Sequence, residues 1–318
     1  MIAIGIDIGG TSIKGAAVYD DGRMLDVFSL PVIKGEPGEE TINKLIDVVD
    51  EYIKKQNIAK DIIGIGIGIP GLLDVNKGTV VMSNNLKWED LPIVEMFQKR
   101  LPYQVRIAND ANVAAYGEAI YGAGKGVPYV IMLTLGTGVG GGIVLDGQLY
   151  EGNLGQGAEL GHIVVKYGGR ECTCGRKGCL ERYASATALV MDTTIAMDAH
   201  PESLMHRIAA EQGKIDGRVA FKAARQGDKA GLEVVEQYIY NLSEGILNYC
   251  NIFRPNVVIL SGGIANEGDY LFDKINNYLL KEKYGFPRSP AVKVIPAKLG
   301  YDSGKIGAAA LFLHEKQN

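Results

Sequence analysis

Residues 2–11 read Ile-Ala-Ile-Gly-Ile-Asp-Ile-Gly-Gly-Thr. This is a short apolar strand with one acid, Asp7, near its end and a glycine turn behind it. A second strand resumes from Ile13 to Tyr19, Asp20-Asp21-Gly22 is a hairpin signal, and Met24 to Val32 completes a three-strand meander. The pattern returns more than a hundred residues later. Tyr129-Val-Ile-Met-Leu-Thr-Leu135 is again apolar, Gly136-Thr137-Gly138 is again a glycine-threonine turn, and a strand at Val139 to Leu145 runs to a hairpin at Asp146-Gly147. Two halves that each begin with the same hairpin imply an internal duplication with a cleft between the halves.

The remaining segments fill in an α/β chain. Apolar residues at Ile42, Leu45, Ile46, Val49 and Ile53 follow the helical period over Glu39 to Gln56. Buried strands are predicted at Ile62 to Ile69, ending in Pro70-Gly71, and at Val105 to Ala108, which runs into Asn109-Asp110 and a helix through Ile120. Helices are expected over Glu181 to Ala199 and Gly231 to Phe253. A strand follows at Val257 to Leu260, ended by Ser261-Gly262-Gly263. A helix, a strand at Val292 to Ile295 and a last helix from Gly304 to Glu315 close the chain. Alternation of this kind gives mixed-sheet α/β domains.

Composition excludes several classes. The 318 residues suffice for two cores, and 47% apolar with 22% charged content is ordinary for a soluble protein. A net charge of −4 offers no footprint for nucleic acid or anionic membrane. The run Met1 to Ile8 is broken by Asp7 and lacks a basic flank, so it is no signal peptide, and no stretch approaches ~18 uninterrupted apolar residues. Thiols kept for metal suit a reducing compartment, and the expected location is cytoplasmic. The 42 glycines concentrate at strand ends, where close approach of backbone to a ligand is the usual reason.

Asp7 to Thr11 and Gly136 to Gly138 are candidate phosphate cradles: a bend between strands presents consecutive N–H groups, and Thr11 and Thr137 add hydroxyls. Two such turns in matching positions point to a nucleoside triphosphate. Gly136-Thr-Gly-Val-Gly-Gly141 also satisfies the dinucleotide pattern, but that fingerprint needs a following helix and here a strand follows. A Walker loop is absent, since neither turn ends in Gly-Lys-Ser/Thr. Asn109-Asp110 lies where a buried strand gives way to a helix. Both residues suit a helix cap, and Asp110 could also accept a hydroxyl proton as that oxygen attacks a γ-phosphate. Gly262-Gly263 would let a flat adenine lie against backbone, and also suits a strand-to-helix turn. Cys250 reads as core, and His200, His206 and His314 as surface or helix-end residues.

The densest chemistry is at Glu159-Leu-Gly-His162 and Cys172-Thr-Cys174-Gly-Arg-Lys-Gly-Cys179-Leu-Glu181. Three of the four cysteines fall within eight positions, with a histidine just upstream. One imidazole and three thiolates form a closed tetrahedral set for structural Zn²⁺. Glu159 and Glu181 bracket it, and an imidazole on zinc keeps a second ring nitrogen as a donor. Fixed carboxylate acceptors plus that donor suit a polyhydroxyl ligand.

Together these stretches resemble the ROK family of repressors and sugar kinases over essentially the whole chain, and within it the bacterial glucokinases. The resemblance implies the actin-like ATPase (ribonuclease H-like) fold, ATP with Mg²⁺, and phosphorylation of a hexose hydroxyl, usually O6 of glucose. It implies Asp110 as the base, with Gly71, Asn85, Asn109, Glu159, His162 and Glu181 holding the sugar. Gly9, Gly10, Thr11, Lys14, Thr137 and Gly138 would face phosphates, Gly262 and Gly263 the adenosine, and Asp7 would approach Mg²⁺ through water. His162, Cys172, Cys174 and Cys179 would hold zinc. The implied domains are 1–116, joined by a C-terminal helix at 301–318, and 117–300 with the zinc loop at 159–181, in a homodimer or homotetramer. The family's repressors carry a DNA-reading segment ahead of the first strand. Here that strand begins at residue 2, and no nucleic-acid reader is expected. An N-acetylmannosamine or fructose kinase, a non-catalytic sugar sensor and an actin-like assembly ATPase are the alternatives.

Overall fold

A computed structural model of the chain describes residues 1–282 and 290–314. The chain divides into two compact units: Met1–Val130 with Gly142–Ala158 and Lys298–Asn318, and Ile131–Gly141 with Glu159–Ala297.

The first stretch supplies β1 (Ile2–Ile8), β2 (Ser12–Tyr19), β3 (Phe28–Pro31), α1 (Gly38–Gln56), β4 (Ile62–Ile69), β5 (Leu72–Asp74), β6 (Thr79–Ser83), β7 (Trp88–Leu91), α2 (Ile93–Gln98), β8 (Val105–Asn109) and α3 (Asp110–Ile120). From there the chain runs through β9 (Val130–Leu135), β10 (Val139–Leu145), β11 (Gln148–Tyr150), α4 (Glu181–Ala184), α5 (Ala186–Ala199), α6 (Leu204–Gln212), α7 (Arg218–Arg225), α8 (Lys229–Phe253), β12 (Val257–Ser261), α9 (Asp269–Glu282), β13 (Lys293–Pro296) and α10 (Ser303–Leu313). One five-stranded sheet has the order β3-β2-β1-β4-β8 and the other β11-β10-β9-β12-β13. Both place their strands third, second, first, fourth, fifth, so the duplication read from the two hairpins is present in the sheets.

The alternation of β1 and β4 decides what each face carries. In a strand successive side chains point to opposite faces. Ile2, Ile4, Ile6, Ile8, Ile65, Ile67 and Ile69 join one buried cluster with Ile42, Leu45, Ile46, Val49 and Ile53 of α1. The opposite face is small: Ala3 and Gly5 in β1, and Gly64, Gly66 and Gly68 in β4. A Cβ on Gly5 would lie 1.8 Å from the Lys305 carbonyl oxygen, and one on Gly66 1.8 Å from that of Ala308. These strand glycines admit α10 against the sheet. For these strand glycines the neighbours are the α10 backbone at Gly5 and Gly66, the Phe312 ring at Gly64 and Val113 of α3 at Gly68, whereas Gly10, Gly136 and Gly263 beyond the strand ends face open space. α10 in turn crosses α3 at glycine. A Cβ on Gly307 would meet the Val113 carbonyl oxygen at 1.7 Å, and one on Gly117 the Ser303 carbonyl oxygen at 2.5 Å.

Three features differ from the sequence reading. The antiparallel sheet β5-β6-β7 is an insertion after β4 whose strands are too short to show a period. The helix expected over 181–199 is broken at Ser185, which is extended and caps α5 by accepting a hydrogen bond from the Ala188 N–H at 3.0 Å. Helices α6 and α7 fill a stretch left unread. The last helix is described as far as Leu313; its expected end at Glu315, and residues 315–318 of the implied first domain, lie outside the described residues. No described helix is long and apolar enough to cross a membrane.

Candidate active site

In the first unit, β1, β4 and β8 are parallel, so their C-terminal ends share one edge. The register pairs Asp7 with Gly68, and Ile69 with Asn109. Ligand-binding residues gather at that edge of α/β sheets. Asp7 stands there opposite Lys14 in the β1–β2 ladder. Burial pushes the Asp7 carboxyl up, and the charges of Lys305 and Lys14 pull it back. The turn beyond is closed by the Gly9 N–H donating to the Ser12 carbonyl at 3.0 Å, and Gly10 and Thr11 are exposed. At the end of β8, Asn109 Oδ1 accepts from the N–H groups of Ala111 (2.9 Å) and Asn112 (3.3 Å). The cap reading thus holds, and it fixes the start of α3 with Asp110 as its first residue. Gly71 follows β4 at φ 124°, where a Cβ would lie 2.5 Å from the Met82 carbonyl oxygen; only glycine fits. Asn85 sits exposed in the β6–β7 turn, which the Lys87 N–H closes on Ser83 at 2.8 Å.

The second unit gathers the other candidates. The turn Gly136–Val139 is held by the start of α5 and by Glu181. The Ala186 N–H donates to the Gly136 carbonyl at 2.8 Å, Thr187 Oγ1 donates to the Thr137 carbonyl at 2.7 Å, and the Val139 N–H donates to Glu181 Oε2 at 3.0 Å. Glu181 also lies 3.9 Å from Cys172 Sγ. One carboxylate therefore ties the cysteine loop to the glycine turn. Gly262, at φ 91°, packs where a Cβ would strike the Leu135 carbonyl oxygen at 2.4 Å, which brings Gly262 and Gly263 beside the same turn. The start of α5 was missed in the sequence. Its signal was Ser185 three residues before Ala188, a cap spacing hidden by reading one continuous helix.

His162 ends a 3₁₀ turn, Leu160–His162, whose Gly161 packs against the Val139 carbonyl. Glu159 precedes it, exposed. His162 Nδ1 lies 3.6 Å from Cys172 Sγ, Cys174 and Cys179 Sγ lie 3.6 Å apart, and all four donor atoms fall within 4.8 Å of one another. Tetrahedral Zn²⁺ with ordinary Zn–S and Zn–N lengths separates neighbouring donors by roughly 3.6–3.8 Å. The set fits. Burial beside the other thiols pushes Cys179 up to about 12, whereas the backbone N–H of Arg176 holds Cys174 below its ordinary value. A dication held at the centre would outweigh both and take the sulfurs as thiolates. Because Nδ1 faces the sulfurs, Nε2 of His162 is the ring nitrogen left for a ligand.

The ROK family profile matches residues 3–315. The chain is a member of the ROK family. Its relatives include a glucokinase of Halalkalibacterium halodurans, 35% identical over 99% of this chain and 96% of that one. A crystal structure of a ROK glucokinase from Streptomyces griseus, in complex with glucose and AMPPNP, superposes with a TM-score of 0.79 at 33% identity, covering 99% and 100% of the two chains. A putative xylose repressor of a Caldicellulosiruptor species is 29% identical over 99% of this chain and 78% of its own. The fold is thus the actin-like ATPase fold of ROK proteins.

The segment that delivers Glu159 is conformationally costly. Leu154 (φ 59°) and Ala158 (φ 62°) are left-handed without being glycine. That region costs an L-residue roughly 1–2 kcal/mol. Replacing Ala158 by glycine removes the clash and adds some unfolded-state entropy. Ala158→Gly is expected to raise the unfolding free energy by roughly 0.5 kcal/mol, read by urea titration; a lower value would show that Ala158 is unstrained.

Glu151, at the base of the same segment, faces a groove of about 690 Å³ lined also by Val75, Val94, Arg106, Ile107 and Leu311. Burial raises its carboxyl to about 7, with Arg106 opposing, and its Oε1 has no hydrogen-bond partner. Below pH 4.5 the group is protonated folded and unfolded alike. As pH rises toward 7 only the unfolded chain releases the proton, so this contribution to stability is lost across that window. Glu151→Gln removes the dependence. The variant's urea midpoint, compared with wild type, is expected to gain steadily between pH 5 and pH 7.5. A constant difference would rule out the buried acid as its origin.

Proposed function

We propose that this ROK chain transfers the γ-phosphoryl of ATP to a hexose hydroxyl, with glucose to glucose 6-phosphate as the first reading. The observation that carries it is Asp110. It stands at the first position of α3, at the edge where β1, β4 and β8 end, in the same unit as the Asp7–Thr11 turn. A carboxylate fixed there can take the O6 proton as that oxygen attacks phosphorus. Asn109, Gly71, Asn85, Glu159, His162 and Glu181 take the ring hydroxyls. The Gly9–Thr11 turn with Lys14, and Thr137–Gly138, present donors to phosphate oxygens, and Gly262–Gly263 lie under the base. Mg²⁺ on the nucleotide, near Asp7, would neutralise phosphate charge; such transfers rest on positioning and charge stabilisation. Zn²⁺ on His162, Cys172, Cys174 and Cys179 would hold the sugar-binding imidazole in place.

The second reading is a sugar sensor without catalysis, favoured by the repressor among the relatives. A coupled assay for ADP release with Mg-ATP separates the two, run against glucose, N-acetylmannosamine, fructose and mannose. Preference for glucose supports the first reading. Turnover of another sugar alone keeps the mechanism and replaces the substrate. Calorimetric sugar binding with no turnover of any sugar establishes the sensor.

A further inference from the structure

The cysteine cluster is unevenly sheltered. Cys172 and Cys179 are 7% and 0% exposed, and Cys250 in α8 is 1% exposed, whereas Cys174 is exposed. Cys174 Sγ lies 3.6 Å from Cys179 Sγ. The peptide joining the two is Gly-Arg-Lys-Gly, with Gly175 at φ 85° and open space around its Cα, and Gly178 at φ 82° packed on the Lys166 carbonyl. Cys179 is therefore packed in place, whereas the Cys174 side chain stands in solvent on a turn closed by the Gly175 N–H donating to the Cys172 carbonyl at 3.0 Å. A disulfide needs the sulfurs about 2.05 Å apart, so the Cys174 side must travel roughly the remaining 1.5 Å while Cys179 stays still. An accessible thiol poised next to a resolving thiol is the arrangement that peroxides oxidise reversibly.

We propose that Cys174 and Cys179 form a reversible oxidation site for hydroperoxides, and that its oxidation ejects the zinc ion. The proposal rests on the zinc reading of the cluster. The Cys174 thiolate attacks one oxygen of hydrogen peroxide; the O–O bond breaks, leaving a sulfenic acid and a hydroxide that takes a solvent proton to become water. The Cys179 thiolate attacks that sulfur, forms the S–S bond and displaces the hydroxide, which takes a second solvent proton and leaves as water. The two sulfurs supply the two electrons that reduce the peroxide. Zinc then keeps only His162 and Cys172 and dissociates. His162 loses its anchor, and with it Glu181, which spans Cys172 and the Val139 N–H. Oxidation therefore weakens sugar binding through a site that meets no sugar itself.

The experiment uses the intact protein purified under reducing conditions, its zinc content first measured by atomic absorption. Hydrogen peroxide is then added with a chromogenic zinc chelator present, and peptides are mapped without reduction. The expected result is one zinc per chain released, a Cys174–Cys179 disulfide, at least tenfold weaker glucose binding by calorimetry, and restoration by dithiothreitol with zinc. Cys250→Ser should release zinc as wild type does. Zinc that stays bound, or leaves only with sulfinic or sulfonic acid at Cys174, overturns the oxidation site while the metal reading stands. A reduced, pure protein with no bound zinc overturns the metal reading itself.

Discussion

Replacing Asp110 by asparagine is expected to lower the turnover of sugar phosphorylation by ~10²–10⁴-fold, the range a positioned general base contributes. Asparagine has nearly the same shape and is equally at home at a helix start. The carboxylate's Oδ1 accepts from the Ala111 N–H at 2.9 Å, a bond the amide oxygen can also make. The Asn109 cap is untouched, so α3 should begin where it did and the variant should fold. What disappears is the ability to take a proton, because an amide nitrogen is no base at pH 7. Sugar affinity, measured by calorimetry without nucleotide, should change far less than turnover. A variant that keeps turnover within tenfold of wild type would rule out the general-base role proposed for Asp110.

The largest structural effect is expected at Glu118, fully buried on the same helix. Its Oε1 accepts from the N–H groups of Lys298 (2.9 Å) and Leu299 (2.6 Å), and its Oε2 from that of Ala123 (2.8 Å). Leucine fits a similar volume and leaves three backbone donors without a partner. Each buried orphan costs roughly 1–3 kcal/mol, so the loss exceeds about 3 kcal/mol out of the roughly 5–15 that hold a typical protein folded. At roughly 2–4 °C per kcal/mol for a unit of this size, Glu118→Leu should melt about 10 °C lower or fail to accumulate. Glutamine retains one carbonyl oxygen for Lys298 and Leu299 but turns an N–H toward Ala123. Its melting point should fall between the two. Equal melting of Glu118→Gln and Glu118→Leu would mean that volume, not accepted hydrogen bonds, is what this position supplies.

What the sequence disclosed follows from how local each signal is. The β1 and β9 hairpins, Asn109-Asp110 and the Cys172–Cys179 cluster are contiguous, and short tethers leave little choice about where such residues go. The duplication was legible because both turns carry glycine and threonine at the same place after an apolar strand. The purpose of Gly64, Gly66 and Gly68 was not legible, since a glycine records that something comes close without recording what. For Gly64 and Gly66 the partner is α10, more than two hundred residues away, and for Gly68 it is Val113 of α3; nothing near β4 names either. Ser185 was overlooked for the opposite reason: a strong apolar period on both sides masked a one-residue break. The tie between Glu181 and the Val139 N–H joins positions 42 apart, and a spacing rule that counts neighbours has no means of pairing them.

The seat of α10 has a consequence for how the protein is made. β1 and β4 are made before the whole of the second unit, yet the face formed by Gly5, Gly64 and Gly66 waits for a helix that begins only at Ser303. α3, which carries Asp110, waits for the same helix at the Gly117–Gly307 crossing. Until α10 has been made, the first unit lacks one wall, while the intervening unit, which closes with Ala297, is already complete in sequence. The nascent chain must therefore hold an unfinished sheet while the second unit is made, and the closure that joins α10 to β4, more than two hundred residues apart, follows it. A chain cut short before Ser303 would leave an uncovered glycine face and an unbraced α3. Truncated products should be cleared by proteases and not persist as partly active enzyme.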